Sequence, residues 1–425
     1  MVCYLMKLKP NLFLSDPDNY YQKFCSNAHY TTNDSGQIDV GTQAAVGGSY
    51  TGVFPAGLLT TLAPAPEEYP FLRLYKRDPT IPWKISVSMT DGHTTLQERK
   101  ENLGTIELER HLMAKGVQRI PICEGKVRGT LFLPAGKGPF PGVIDMFGSV
   151  GGLMEFRAAL LASRGIAALA LAFFAYKDLP KVVNSFELEY FEDATRILLS
   201  QPTVIKDRCG VISVSKSTDL AYAMATWLSP VKAVAAISGP PIAFDTDLSY
   251  KGKIILKGIK MAEGDLAMDE EKRLHLKREA VRNLFTPENV HYMVPTENAD
   301  EGTHFLAVAG DDDSYSTDIA TLEFKKRMET LGKTNAEVII YPGAGHMIEP
   351  PYSALIYQSY HRYLPVVAND KSASEKITGV EAVWGGNAMD TCKAQEDLWI
   401  RMRKFFTKHI RDASPWYQSQ AASKL

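Results

Sequence analysis

From about residue 120 the chain alternates short apolar runs with stretches of helical periodicity. The runs at 129–133, 141–147, 166–174, 209–214, 233–238, 305–309 and 338–341 are too short for buried helices and almost free of charge. Continuous apolar runs of this length, set between helices, predict parallel strands covered on both faces. Residues 219–228 and 396–410 read as two of the helices. The expected unit is an open α/β sheet, in which active sites lie at the carboxyl ends of strands.

Residues 1–119 follow another pattern. Trp83, Ile85 and Val87 alternate with polar positions, and turn signals stand at 33–36, 47–50 and 91–92. This predicts a β-sandwich. The expected organisation is an N-terminal β-sandwich over 1–119 and an α/β catalytic domain over 120–425. Residues 262–290 are charged and helix-forming, and lie between two predicted strands. They read either as a solvated helical excursion or as a lid over the active site. His29 and His93 read as surface or packing histidines.

Composition narrows the class. The chain has 425 residues, 45% hydrophobic and 23% charged, so a large core needs no metal or disulfide staple. Net charge is −2 and the basic residues are dispersed, which argues against nucleic-acid binding and against a polybasic membrane patch. Cys3, Cys25, Cys123, Cys209 and Cys392 form no CxxC pair and suit free, mostly buried thiols in a reducing compartment. The most apolar run, 166–176, is about half the length of a bilayer helix, so no membrane span is expected. Lys7 and Lys9 interrupt the apolar N-terminus, which argues against a secretory signal. The last three residues are Ser423-Lys424-Leu425, the tripeptide read by the peroxisomal import receptor. The expected location is the peroxisome matrix, with that receptor as a partner.

The sharpest chemical motif is Gly210-Val211-Ile212-Ser213-Val214-Ser215-Lys216-Ser217. An apolar strand runs into Ser215 and a helix follows it, the setting of a nucleophile elbow written G-x-S-x-G. Strand and helix meet there at a sharp turn, so the residues two positions either side must be small. Ser213 and Ser217 are small without being glycine. In this fold the acid and then the base follow the nucleophile along the chain. The run at 305–309 leads into Gly310-Asp311-Asp312-Asp313, and that at 338–341 into Pro342-Gly343-Ala344-Gly345-His346. Ser215 is therefore the expected nucleophile, His346 the base, and an aspartate of the triplet the acid. The oxyanion hole needs two backbone N–H donors. Lys216 should supply one and the Gly148–Gly152 loop the other, at Ser149 or Val150. No metal or tightly held cofactor is expected.

Several strings resemble the type-I acyl-CoA thioesterases and the related bile acid-CoA:amino acid N-acyltransferases. They are Gly47-Gly48-Ser49-Tyr50-Thr51-Gly52, Val127 to Pro134, Pro139 to Asp145, Ala175 to Pro180, Gly345 to Tyr352, and Trp384-Gly385-Gly386. The resemblance runs from about residue 20 to the end. It implies an N-terminal β-sandwich, an α/β-hydrolase domain, an acyl-CoA substrate and an acyl-enzyme on the nucleophile. Coenzyme A then enters only as part of the substrate. Thioesterases of the family usually carry Gly where this chain has Ser213, and conjugating members carry Ser there with Cys as nucleophile. Gly is also usual where Ser217 stands. A serine ester yields readily to activated water and a thioester to an amine, so Ser215 favours hydrolysis over glycine or taurine conjugation. The missing glycines and shortened amino end also leave a weakly active acyl-CoA-binding relative as an alternative. The acid loop is one residue shorter than the family's. Counted from Gly310 the acid is Asp313; counted back from His346 it is Asp312. Asp313 is preferred, because the strand end sets position. The family's sandwich starts earlier, so this one is expected to be incomplete or to have an unusual start. Arg157, Lys177 and Lys181 are candidates to meet CoA phosphates.

Overall fold

The computed structural model describes residues 2–8, 23–92, 102–182, 185–260, 264–361 and 380–422, with side chains described between 23 and 419 of these. His93 and the terminal Ser423-Lys424-Leu425 lie outside the described residues.

The catalytic half is built on β1 (Gln118–Glu124), β2 (Val127–Leu133), β3 (Gly142–Asp145), β4 (Ala167–Ala172), β5 (Cys209–Val214), β6 (Val231–Ile237), β7 (His304–Gly310) and β8 (Ala336–Tyr341). Among the described residues these form one sheet in the order β1-β2-β4-β3-β5-β6-β7-β8. β2 is antiparallel to both its neighbours, and every pair from β4 to β8 is parallel. This is the open α/β sheet expected from the apolar runs, in the α/β-hydrolase arrangement that the resemblance implies. Every residue of β3, β4 and β5 is buried.

Alternate residues of the strands feed opposite cores, as the two-residue period of a strand requires. Val211, Val234 and Phe305 pack with α2 (Leu188–Ser200), α3 (Ser217–Trp227) and α4 (Thr317–Thr330). Their neighbours Ile212, Ala235 and Leu306 pack with α1 (Phe156–Ala162) and α5 (Ala388–Phe406) on the other face. Gly210 lets α5 close on β5: a Cβ there would lie 2.6 Å from the Phe406 ring. β1 is absent from the apolar-run prediction because most of its residues are exposed, so it carries no such run. β3 ends at Asp145, short of the predicted 147, and the chain leaves as the Gly148–Gly152 loop. No helix among the described residues is long and apolar enough to cross a membrane. Cys25, Cys209 and Cys392 are buried, and Cys123 is exposed.

Residues 264–284 are not a helical excursion. Leu266–Met268 and Leu274–Leu276 pair antiparallel, the second also joins Val380–Val383, and one short helix, Arg278–Leu284, follows. The charged run makes the turn between the two strands. The Asp269 carboxylate accepts from Arg273 N at 2.8 Å and from Arg273 Nε at 2.7 Å. Such side-chain bonds to nearby backbone compete with helix formation.

The N-terminal region is separate and β-rich. Among its described residues one antiparallel sheet runs in the order Gly47–Gly48, Phe24–Tyr30, Val2–Leu8, Trp83–Asp91, Asn102–Arg110, with Ala63–Pro64 added to Phe24–Tyr30. Its inner face carries Phe24, Ala28, Tyr30, Trp83 and Ile85, which pack on Leu58, Leu62 and Ala354. His29 bonds Asn27 Nδ2 at 3.2 Å within this sheet. The region grips the segment that follows β8. Arg110 donates to Pro351 O and Tyr352 O, each at 2.7 Å, and Tyr360 N donates to Phe71 O at 2.9 Å.

Candidate active site

β5 passes into α3 through Ser215 and Lys216 alone, and this turn must reverse direction. Ser215 does so with φ 58°, a left-handed conformation that costs a non-glycine residue roughly 1–3 kcal/mol. Backbone bonds hold it there: Ser215 N donates to Ile237 O at 2.9 Å, and Ser215 O accepts from Thr218 N at 3.0 Å. Both flanking serines are fully buried. Ser217 Oγ accepts from Val214 N at 3.1 Å and donates to Val214 O at 3.0 Å. Ser213 Oγ donates to Ala235 O at 3.4 Å. With partners found, neither hydroxyl incurs the roughly 1–3 kcal/mol of a buried unpaired polar group. Serine can thus stand where the elbow usually has glycine.

β7 and β8 are neighbours, so the loops after them emerge together. His346 and Asp313 are both buried, and His346 Nδ1 lies 2.9 Å from Asp313 Oδ2. Asp313 also accepts from Tyr315 N at 2.7 Å and from the Thr317 hydroxyl. Asp312 instead accepts from Gly386 N at 3.1 Å, and Asp311 from Gly343 N at 2.7 Å. A neutral imidazole bonded to a carboxylate at Nδ1 keeps its lone pair on Nε2. His346 Nε2 is buried without a hydrogen-bond partner.

Glycines let three loops converge on this pair. An added Cβ would lie 2.0 Å from Ala344 O at Gly310, 2.3 Å from Gly385 O at Gly345, and 2.0 Å from Asp312 O at Gly385. The string Trp384-Gly385-Gly386 supplies the third loop. Trp384 O accepts from His346 N at 2.9 Å, and the two rings stack with centroids 5.3 Å apart. Trp384 Nε1 donates to Ser359 Oγ at 2.8 Å, which fixes the indole.

Two cavities meet at Ser215, Ser149, His346, His361 and Trp384. One, of about 330 Å³, lies between the loop carrying Gly148, Ser149 and Val150 and the N-terminal residues Tyr69, Phe71, Leu72 and Arg73. The other, of about 140 Å³, runs under the hairpin and helix of 264–284. Lys216 lines this second cavity, and its ammonium pairs with the buried Asp219 carboxylate. Burial pushes the Asp219 carboxyl up, and the Lys216 charge opposes the shift. A Cβ at Gly148 would fall 2.8 Å from Ser215 Cβ, so only glycine lets the backbone pass this close to the serine. Arg157 holds the base of the same loop. It is buried, donates from Nε to Asp145 at 2.7 Å and from Nη2 to Met146 O at 3.0 Å, and its guanidinium covers the Phe147 ring. It is therefore not placed to meet a phosphate in solvent. Lys177 and Lys181 are exposed.

The structure gathers Ser215, His346, Asp313, Ser149, Val150 and Lys216 at one place, and leaves Asp312 off the imidazole. Sequence reasoning missed His361. This buried histidine lies with Nε2 3.1 Å from Ser149 Oγ. Burial, with Arg73 and His346 nearby, pushes its pKa down to about 4, so it is neutral near pH 7. No spacing or motif in 358–361 marks it.

Known proteins share this sequence along most of its length. The family described as BAAT / Acyl-CoA thioester hydrolase C terminal matches residues 186–412. Its counterpart, Acyl-CoA thioester hydrolase/BAAT N-terminal region, matches residues 11–124. Acyl-coenzyme A thioesterase 3 of Mus musculus is 36% identical, covering 91% of this chain and 84% of that protein. The Peroxisomal succinyl-coenzyme A thioesterase of Mus musculus is also 36% identical, covering 91% and 87%. Acyl-coenzyme A amino acid N-acyltransferase 2 of Rattus norvegicus is 37% identical, covering 91% and 88%.

Proposed function

The chain belongs to the BAAT / acyl-CoA thioester hydrolase family, and from that membership we propose that it hydrolyses acyl-CoA to free acid and CoA through an ester on Ser215. Ser215 Oγ attacks the thioester carbonyl while His346 Nε2 takes its proton. Asp313 holds the imidazole in the tautomer that can accept, and stabilises the cation that forms. Backbone N–H groups of Lys216 and of Ser149 or Val150 receive the oxyanion. The C–S bond breaks, and CoA leaves as the thiol with the proton returned by His346. His346 then removes a proton from water, which attacks the ester; the bond from the acyl carbon to Ser215 Oγ breaks, His346 returns the proton to that oxygen, and the acid departs.

The observation that carries this reading is His346: Nδ1 on Asp313, Nε2 buried and unpaired, and the ring on the wall of a cavity that Ser215 also lines. Ser215→Ala should lower CoA release by at least about a thousandfold, read with a thiol reagent, with the fold intact by circular dichroism. Turnover near the wild-type rate in that variant would sink the assignment.

Transfer of the acyl group to glycine or taurine is the second reading, favoured by the similarity to an amino acid N-acyltransferase. Mass spectrometry of the products with either amino acid present separates acid from amide. A fluorophosphonate probe that leaves Ser215 unlabelled would instead favour a weakly active acyl-CoA-binding protein. The peroxisome matrix is the proposed location, on Ser423-Lys424-Leu425. A fluorescent protein fused ahead of the chain should colocalise with peroxisomes and become diffuse when Leu425 is removed. An unchanged distribution would refute this.

A further inference from the structure

A thioester held at Ser215 must send its two arms in different directions, and the two cavities that meet there differ in size and in the residues that line them. The smaller is lined by the apolar Ile242, Phe244, Leu266, Leu276, Val281 and Leu284, together with the hydroxyl-bearing Thr218, Ser238, Tyr315 and Thr317. Its one lysine, Lys216, is already neutralised by Asp219, and Asp245 is a further acid on the wall. Nothing on that wall offers a free cation to a carboxylate, and Asp245 would repel one. The larger cavity, of about 330 Å³, has room for the bulkier amide-bearing arm of CoA, and also carries the hydroxyls of Tyr69, Ser359 and Tyr360.

We infer that the cavity under residues 264–284 holds the acyl chain and limits it to an uncharged chain of medium length. The assignment rests on the thioesterase reading and adds to it the class of substrate. The size follows from the volume. A cavity of roughly 150 Å³ with Leu, Ile and Phe walls accepts benzene, a group of about six carbons. This one is about 140 Å³. Each methylene buried there should raise kcat/KM about fourfold, until the cavity is full. Hexanoyl- and octanoyl-CoA are then the preferred substrates. A dicarboxylic acyl-CoA such as succinyl-CoA places a charge against a largely apolar wall that carries Asp245 and whose lysine is already paired, and is a poor one. Leu284 and Val281 project from the short helix into the cavity, so their bulk sets its depth.

The test is a chain-length series from acetyl- to palmitoyl-CoA, with succinyl-CoA included, for the wild type, Leu284→Trp, Val281→Phe and Leu284→Ala. Folding of each variant is checked by circular dichroism and thermal melting. In parallel, S-alkyl-CoA thioethers of the same lengths are bound to Ser215→Ala and measured by calorimetry. The expected wild-type optimum is six to eight carbons, on the order set by the benzene-sized volume. Filling the cavity at either position should lower the octanoyl-to-butyryl ratio at least tenfold, in turnover and in thioether affinity, from the roughly fourfold per lost methylene. Leu284→Ala should move the optimum to longer chains. A wild-type optimum at palmitoyl, a preference for succinyl-CoA, or profiles that neither substitution moves would overturn the acyl assignment. Chain-length-dependent thioether binding without CoA release would retain the pocket and overturn hydrolysis instead.

Discussion

Asp312 and Asp313 are adjacent and chemically identical, and only their partners distinguish them. Asp313 bonds His346 Nδ1, Tyr315 N and the Thr317 hydroxyl; Asp312 bonds the backbone of Gly386. Asp313→Asn should reduce kcat by about four orders of magnitude, because the amide selects the wrong histidine tautomer. Asp312→Asn should cost less than tenfold, since it removes charge from a loop contact only. Thiol-release kinetics on the two variants decide, and the reverse ranking would reject Asp313 as the acid. The sequence carried the chain order of nucleophile, acid and base. It favoured Asp313 from the strand end but left Asp312 open, because counting from Gly310 and counting from His346 give different residues. His361 was illegible for a related reason: its proximity to Ser149 is made by the fold, 212 positions apart in sequence.

At the scale of elements, most strands that announced themselves were buried on both faces, where apolar composition is obligatory; β8, half-buried at the sheet edge, is the exception. β1 has an exposed face and escaped notice. The run 269–273 was misread because propensity favours helix, whereas Asp269 closes a turn on Arg273. The glycine contacts between loops were legible only as strings. Gly345 and Gly385 show why two of those strings exist, and Gly310 acts alike, since its missing Cβ is what lets the acid loop lie against Ala344 O. Gly310→Val should destabilise the protein by roughly 1–3 kcal/mol, the usual range for forced overpacking. It should also lower kcat, because Asp313 and His346 are pried apart. Urea denaturation and steady-state kinetics measure the two effects. A stable variant with undiminished kcat would show that the loops tolerate separation.

For the whole molecule, the N-terminal sheet is joined to the catalytic half through the segment after His346. Arg73, from the N-terminal region, forms an ion pair with Glu349, and their side chains are only 14% and 6% exposed. Truncating one partner leaves a buried charge uncompensated. Arg73→Ala should therefore cost about 3–5 kcal/mol in urea unfolding. A loss within 1 kcal/mol, on the order of an exposed pair, would mean that the two regions are held by other contacts. The same interface builds one wall of the larger cavity, so the N-terminal region contributes to the site without supplying a proposed catalytic residue.

The amino-acid sequence alone determined the sheet class, the position of the elbow at Ser215 and the order of acid and base. These follow from burial and local turn geometry, and each is written within a few consecutive residues. The tertiary structure alone decided which aspartate meets His346, that His361 stands beside Ser149, that Arg157 is buried, and that two unlike cavities meet at the serine. Those are distances between side chains far apart along the chain, and no local pattern encodes them until the loops have packed.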